Sequence, residues 1–391
     1  MPTASAPRRA LPPGFGTIWT CVALDLVGFG IVLPILPLYA ERFGADAVSA
    51  TALVASFSAA QLVFSPVWGR VSDRVGRKPL LVLSLAGTAV GSLVTGLAGS
   101  LGVLFVGRVL DGISGASVSV AQAAVADIAP PEERARLLGL LGAAFGLGFV
   151  AGPAIGALAA LGGPEVPFLL AAALAAVNAV VAARRLPETH PGHAVLEEES
   201  RAGARDSSSR TGVVGLVVVS FTALTAFSAF EATFALFAEH RLGLRLASVG
   251  GVFAGVGLLL VLVQVRLVGP TVARLGEYGT VRTGLVVNAV GLLLVAAAHS
   301  WALLVPALVL LVVGQGLATP AMSSLVAGKV GAERRGGVLG VQQAAGGLAR
   351  VVGPLAGGAL FQHVGVPAPY VAGAAVMVLA AALLGRAEKG V

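Results

Sequence analysis

The sequence predicts an all-α integral membrane protein with twelve transmembrane helices arranged as two six-helix bundles. Three observations carry this. Hydrophobic residues make up 57% of the 391-residue chain and charged residues only 12%, with a mean hydropathy of +0.92. Apolar stretches close to twenty residues recur, about the length that crosses a hydrocarbon core of ~30 Å. In lipid the backbone must satisfy its own polar groups, and runs this long do so as helices rather than barrel strands. Finally, the chain repeats itself: Gly139, Gly152, Pro153 and Gly156 recur 201 positions later as Gly340, Gly353, Pro354 and Gly357, and Glu132 and Arg134 match Glu333 and Arg335.

The spans are expected near 14–40, 48–68, 79–98, 101–128, 136–160 and 164–183, then 213–238, 246–268, 280–298, 301–327, 336–361 and 366–386. The first is not read as a cleaved leader, because its run is long, contains Asp25 and Pro34, and lacks a small-residue cleavage site. Residues 184–212 are polar, with a Ser207-Ser208-Ser209 run. They read as a linker between a first bundle at 1–183 and a second at 213–391. Duplicated six-span halves are a transporter design, with the substrate site near the midplane between them.

Between spans 2 and 3 five charges are packed between two long apolar runs, Gly69-Arg-Val-Ser-Asp73-Arg74-Val-Gly76-Arg77-Lys78-Pro79. This segment reads as a short charged hinge or latch at a membrane face, with Gly69 and Gly76 permitting a tight turn. Its arginines have the competing role of topology anchors. A weaker copy carries Gly269, Arg274 and Gly276, with Ala273 in place of the aspartate and Glu277 in place of Arg77.

Basic residues fix the expected orientation. All lysines and arginines fall on one face except Arg42, Arg241 and Arg245, opposite, and Arg108 and Arg350, inside spans. The positive-inside rule therefore places both termini in the cytoplasm. The same bias accounts for the net charge of +7, so nucleic acid is not needed as a partner.

Enzyme signatures are missing. Cys21 is the one cysteine, in the first apolar run, and the five histidines fall in loops or near span ends. There is no HExxH, GxSxG or phosphate-loop motif, so neither a cofactor nor a metal is expected.

Ionisable residues within spans are the functional candidates. Asp25 and Asp111 lie roughly 15 Å into their helices at 1.5 Å per residue. Arg108 is one turn from Asp111 on the same face. Arg108 either neutralises one carboxylate until a proton or substrate competes for it, or forms a permanent structural pair. Glu231 in span 7 and Arg350 in span 11 give the second half its own candidates. Gln122, Gln264, Asn288, Gln315, Gln342 and Gln343 either line the cavity or bond between helices.

These motifs together resemble the major facilitator superfamily, specifically its twelve-helix drug:proton antiporters, and are most similar to the tetracycline-efflux type. The resemblance rests on Asp25-Leu-Val-Gly28-Phe-Gly30 with Pro34 and Pro37, the Gly69–Pro79 segment, Gly107-Arg108 with Asp111-Gly112 and Gly115, and Gly146-Leu-Gly148-Phe-Val-Ala-Gly152-Pro153 with Gly156. Gly146, Gly148, Gly152 and Gly156, with Pro153, let helix 5 approach a neighbour closely, and the resemblance implies that this helix packs against helix 8 across the domain interface and seals the inward leak path. It also implies that Asp73, Arg74 and Arg77 latch one face shut, Asp73 docking near the start of helix 11.

Proton coupling would fall to Asp25, Arg108, Asp111 and Glu231, and the cavity to Gln122, Gln264, Asn288, Gln315, Gln342 and Arg350. The implied partners are the bilayer, protons and a small amphipathic substrate, handled by a monomer in the cell membrane. Uptake or facilitated diffusion of a metabolite is the alternative activity. Gly91, Asn288 and Leu260 stand where the tetracycline type carries an aspartate, an aspartate and a histidine, and Glu231 is an added acid. These departures argue against tetracycline itself.

Overall fold

A computed structural model describes residues 11–130, 133–189, 210–329 and 335–389. The middle of the expected linker, and Glu132 and Glu333 of the repeat, lie outside the described residues. Twelve helices among the described residues are long and apolar enough to cross a membrane. They form fourteen α-helical segments, because two spans are broken.

Span 1 is α1 (Phe15–Val32) followed by the short α2 (Leu36–Glu41). The break falls at Pro34, which cannot donate to the helix ladder, and Pro37 restarts it from a first-turn position where no donor is needed. Span 2 is α3 (Ala47–Val75), opened by the Asp46 carboxylate, which accepts from the Ser49 N–H at 2.8 Å. Span 3 is α4 (Arg77–Gly96). Span 4 divides into α5 (Leu101–Ser114) and α6 (Ser117–Ile128). Then follow α7 (Arg134–Ala159), α8 (Val166–Arg185), α9 (Arg210–Leu242), α10 (Leu246–Arg266), α11 (Val268–Ala297), α12 (Trp301–Gly328), α13 (Arg335–His363) and α14 (Ala368–Lys389).

One expectation is corrected here. The tight turn is not shared by Gly69 and Gly76: α3 stays helical to Val75, and Gly76 alone makes it, at φ +105°. Gly69 is an ordinary helical residue with open space beside it. Charged side chains end the lipid-compatible stretch without ending the helix. Its copy behaves alike, since Gly276 at φ +69° kinks α11 while helix continues on both sides.

Glycine sets the helix contacts. A Cβ at Gly91 of α4 would lie 2.7 Å from the Asp111 backbone nitrogen of α5, and one at Gly291 of α11 would lie 2.5 Å from the Leu311 nitrogen of α12. The two halves thus repeat one close approach, 200 residues apart. Small residues allow such backbone proximity where lipid supplies no hydrophobic drive between helices.

The halves meet along α3 with α13 and α7 with α10. Cross-half hydrogen bonds lie on the face away from the Gly76 turn. There the Val48 N–H donates to Gln362 Oε1 at 3.0 Å, and Gln362 Nε2 donates to Asp46 Oδ2 at 2.9 Å. On that face Gly358 of α13 also sits against Ala47 and Thr51 of α3, and Gly250 of α10 against Ala157 of α7.

Candidate functional site

The first half holds a charged centre inside the membrane. Arg108 and Asp111, on the last turns of α5, form an ion pair at 2.7 Å with 2% and 6% residue exposure. The i, i+3 spacing puts them on one face, and burial leaves the pair as each charge's main compensation. The guanidinium lies over the Phe57 ring of α3 at 4.5 Å, a cation–π contact strengthened by desolvation. Thr88 of α4 also hydrogen-bonds Asp111, while Arg108 Nε has no partner.

Asp25, half-buried on α1, accepts from the Ser117 hydroxyl at the first residue of α6. It is also within electrostatic reach of Asp111. Two carboxylates and one arginine are therefore assembled in mid-membrane, with Arg108 committed to Asp111 rather than Asp25. Gly28, on the same helix as Asp25, has nothing within 4 Å of its Cβ position.

The second half is organised differently. Glu231 on α9 is half-buried and Arg350 on α13 is exposed. Arg350 acts on Glu231 electrostatically, without an ion pair among those described. Asn288 is 1% exposed and donates to the Leu311 carbonyl and to Gln315 Oε1 at 3.2 and 3.3 Å. Of its two readings, cavity lining or bonding between helices, these contacts belong to the second: Asn288 ties α11 to α12. Gln315 passes the chain on to Thr319, and Gln342 donates to Ser220 on α9 at 3.2 Å. Gln122 is half-buried, while Gln264 and Gln343 are exposed.

Helix 5 meets helix 8 across the halves, as α7 against α10, but most of its glycines face elsewhere. Gly148, Gly152 and Gly156, spaced four apart on one face of α7, pack against α1 of their own half. Cβ atoms there would come within 2.7 Å of the Leu26 carbonyl oxygen, 2.6 Å of Gly30 Cα and 2.9 Å of the Ile31 carbonyl oxygen. Only Gly146 of the four faces α10, with Val261 at 3.2 Å. The cross-half approach is made mostly by glycines of α10, Gly250 against Ala157 and Pro153, and Gly257 against Phe149. In the second half Gly353 and Gly357 of α13 meet Thr225 and Ala229 of α9 in the same manner.

At the Gly76 turn, Arg77 is buried and gathers the nearby charge. Its Nε donates to Asp127 Oδ2 at 3.0 Å, and its Nη1 to Asp73 Oδ1 at 2.6 Å and to Ser72. The Glu188 carboxylate accepts from the backbone N–H groups of Arg77 and Lys78 at 2.8 and 3.2 Å. It thereby caps α4 and favours the positive end of the helix dipole. Arg74 is exposed. The expected docking place of Asp73, residues 330–334 and the side chains of 335–337, lies outside the described residues. Asp127 and Glu188 were missed by the sequence reading; each is a single acid near a span end, where a solvated charge is the ordinary meaning.

Among the described residues, those with metal-ligand chemistry that come together are Glu41, Glu239 and His240, whose ligand atoms lie within 4.8 Å of one another. They bridge α2 and α9 on the far face. Desolvation and the adjacent Glu239 carboxylate push Glu41 up to about 8.

Comparison with known proteins agrees with this architecture. The profile of the Major Facilitator Superfamily matches residues 18–280 and 216–389. The chain is 34% identical over 343 residues to the class E tetracycline resistance protein of Escherichia coli, covering 85% of this chain and 84% of that protein. It is 27% identical over 345 residues to multidrug resistance protein 1 of Bacillus subtilis (strain 168), covering 88% of each. Among solved structures, the human organic anion transporter MFSD10 (TETRAN) shares 26% identity at TM-score 0.72, over 96% of this chain and 100% of that one. A bacterial homologue of the lysosomal transporter Spinster, inward-facing and occupied, superposes at TM-score 0.76 over 96% of each chain with 14% identity, a likeness of fold alone. Relatives and fold alike are membrane transporters rather than enzymes, and the twelve spans make this a multi-pass protein of the cell membrane.

Proposed function

Because this chain belongs to the major facilitator superfamily, we propose that it exports a small amphipathic compound from the cytoplasm in exchange for protons, by alternating access. The single observation that carries the coupling is the mid-membrane group of Asp25, Asp111 and Arg108, with one carboxylate paired and the other held only by a hydroxyl. A carboxylate held by a hydroxyl in low dielectric accepts a proton far more readily than one beside an arginine. Asp25 is then the proton carrier, and the Arg108–Asp111 pair is the charge against which its protonation is felt. Glu231, not ion-paired among the described residues, is a second place for a proton or a cationic substrate group.

The basic face, carrying the Gly76 turn, is cytoplasmic in this reading. The far-face contacts at Gln362, Gly250 and Gly358 then correspond to a carrier closed outside. Drug export is favoured by the resistance relatives. Tetracycline itself is disfavoured: Gly91 stands where the tetracycline type carries an aspartate, and here any Cβ would strike the backbone of Asp111. The substrate sits between the halves, and the working unit is a monomer in the bilayer without cofactor, metal or nucleic acid.

The test is a susceptibility panel in an efflux-deficient host, with and without a protonophore. Resistance to one or more amphipathic compounds, abolished by the protonophore, supports the proposal. Resistance that survives collapse of the proton gradient contradicts it.

A further inference from the structure

The interruption of span 4 is built rather than accidental. Between α5 and α6 the chain leaves helical geometry at Gly115, with φ −71° and ψ 46°, and the carbonyls of Ile113, Ser114 and Gly115 have side-chain partners. Trp68 Nε1 of α3 donates to the Ile113 carbonyl, the Ser84 hydroxyl of α4 to the Ser114 carbonyl, and Gln61 Nε2 of α3 to the Gly115 carbonyl at 2.7 Å. Ser84 also accepts from the Ala116 N–H at 3.2 Å. Broken helices persist at membrane depth only when the freed backbone groups are satisfied in this way.

What the break separates is informative. The Arg108–Asp111 pair sits on α5 and the Ser117–Asp25 bond at the first residue of α6. The other end of α6 carries Asp127, bonded to Arg77 beside the Gly76 turn. At 1.5 Å per residue, α6 spans roughly 17 Å from the carboxylate to the turn. A small cleft of about 110 Å³ lies beside the break, lined in part by Trp68, Ser84 and Ser114, and leaves room for movement.

We propose that α6 is a lever hinged at Gly115–Ala116, linking the protonation of Asp25 to the Arg77 network at the basic face, and that Gln61, Trp68 and Ser84 are the positioning residues that set its bend. The inference rests on the proton-coupled reading above. Loss of the charge on Asp25 weakens the Ser117 bond and frees the start of α6. The hinge turns that change into a displacement at Asp127, and hence at Arg77. The groups facing Asp25 are Ser117, the Asp111–Arg108 pair and Cys21. The membrane portions of α7 and α8 bring it no charged side chain, Asn178 bonding instead to the Cys21 carbonyl. Those facing Arg77 are Asp73, Ser72, Asp127 and, at its backbone, Glu188.

The test uses the full-length carrier in membrane vesicles with Cys21→Ser and Val75→Cys. Val75 is exposed at the end of α3, beside this network. The rate of labelling by a membrane-impermeant maleimide, corrected for the reagent's own pH dependence, is followed between about pH 6 and pH 8. The lever predicts a rate that changes with pH in the parent and is flat in Asp25→Asn. Trp68→Phe and Gln61→Leu each reduce the pH-dependent ratio by about fivefold, the value of one hydrogen bond. Ser84→Thr, which keeps the hydroxyl, leaves it intact. A pH-dependent parent whose profile is unchanged in Trp68→Phe and Gln61→Leu overturns the lever alone. A flat parent overturns the lever, while the proton-coupled reading stands or falls on the protonophore panel above.

Discussion

Arg108 and Asp111 define the residue scale. Each is nearly inaccessible and each is the other's main counter-charge, so removing one strands the other. Arg108→Ala is expected to lower stability by about 3 kcal/mol and to abolish coupled transport while leaving membrane insertion intact. Thermal unfolding in detergent and proteoliposome flux check the two halves of that statement. Asp25→Asn removes a titratable group whose one hydrogen-bond partner among the described residues is a hydroxyl. It should abolish coupling at little cost in melting temperature.

Gly91→Ala introduces a methyl 2.7 Å from the Asp111 backbone. It should destabilise by about 1–3 kcal/mol through overpacking and disturb the ion pair, measured as lower melting temperature and reduced flux. The in-span charges were legible in the sequence, because an ionisable group in an apolar run is rare enough to stand out; the approach of Gly91 to Asp111 was not. Asp127 and Glu188 were not. Their partner Arg77 lies 50 and 111 residues away, and nothing local distinguishes a charge that will be captured from one that will be solvated.

At the scale of elements, hydropathy reports where lipid begins and ends, not where helices do. The spans could therefore be counted, but the extension of α3 to Val75 and the interruption at Gly115 could not. Glycine spacing on α7 reveals a face without naming its neighbour. Gly148, Gly152 and Gly156 serve α1, and the cross-half contact draws on α10's own glycines. The two sets have separable consequences. Gly148→Val should lower thermal stability with little change in which face is open. Gly257→Val, placed against Phe149 at the junction of the halves, should shift accessibility towards the far-face-open state, read by labelling of cysteines on each face.

A second consequence belongs to α2 and α9. Glu41 stands at about 8, raised from 4.5 by burial and then by Glu239. A raised carboxyl favours the juxtaposed arrangement while protonated. That favour is full below about 4.5 and is lost as pH climbs through about 8. Far-face closure should therefore weaken as pH rises across this window, and Glu41→Gln should flatten the dependence in the same labelling assay.

The whole molecule is a duplicated frame with unequal chemistry. Gly91 against Asp111 in one half becomes Gly291 against Leu311 in the other. The backbone approach is retained while the acid is replaced by leucine, and Leu308 stands where Arg108 would be repeated. Turns repeat in the same way: Gly76 and Gly276 share a positive φ, but Arg77 holds two aspartates whereas Glu277 accepts from Ser324. Symmetry thus belongs to packing, which alternating access requires of both halves, and asymmetry to charge. In the proposed reading the first half serves the proton. The second, where Arg350 acts on Glu231 without an ion pair among the described residues, is proposed to meet the substrate.

The central claim is that outward movement of substrate is driven by protons through Asp25. The most direct measurement is substrate-dependent proton movement in proteoliposomes, using a compound to which the protein confers resistance. The account predicts proton movement opposite to substrate for the native protein and none for Asp25→Asn. Substrate flux without proton movement in the native protein, or native coupling in Asp25→Asn, would contradict it.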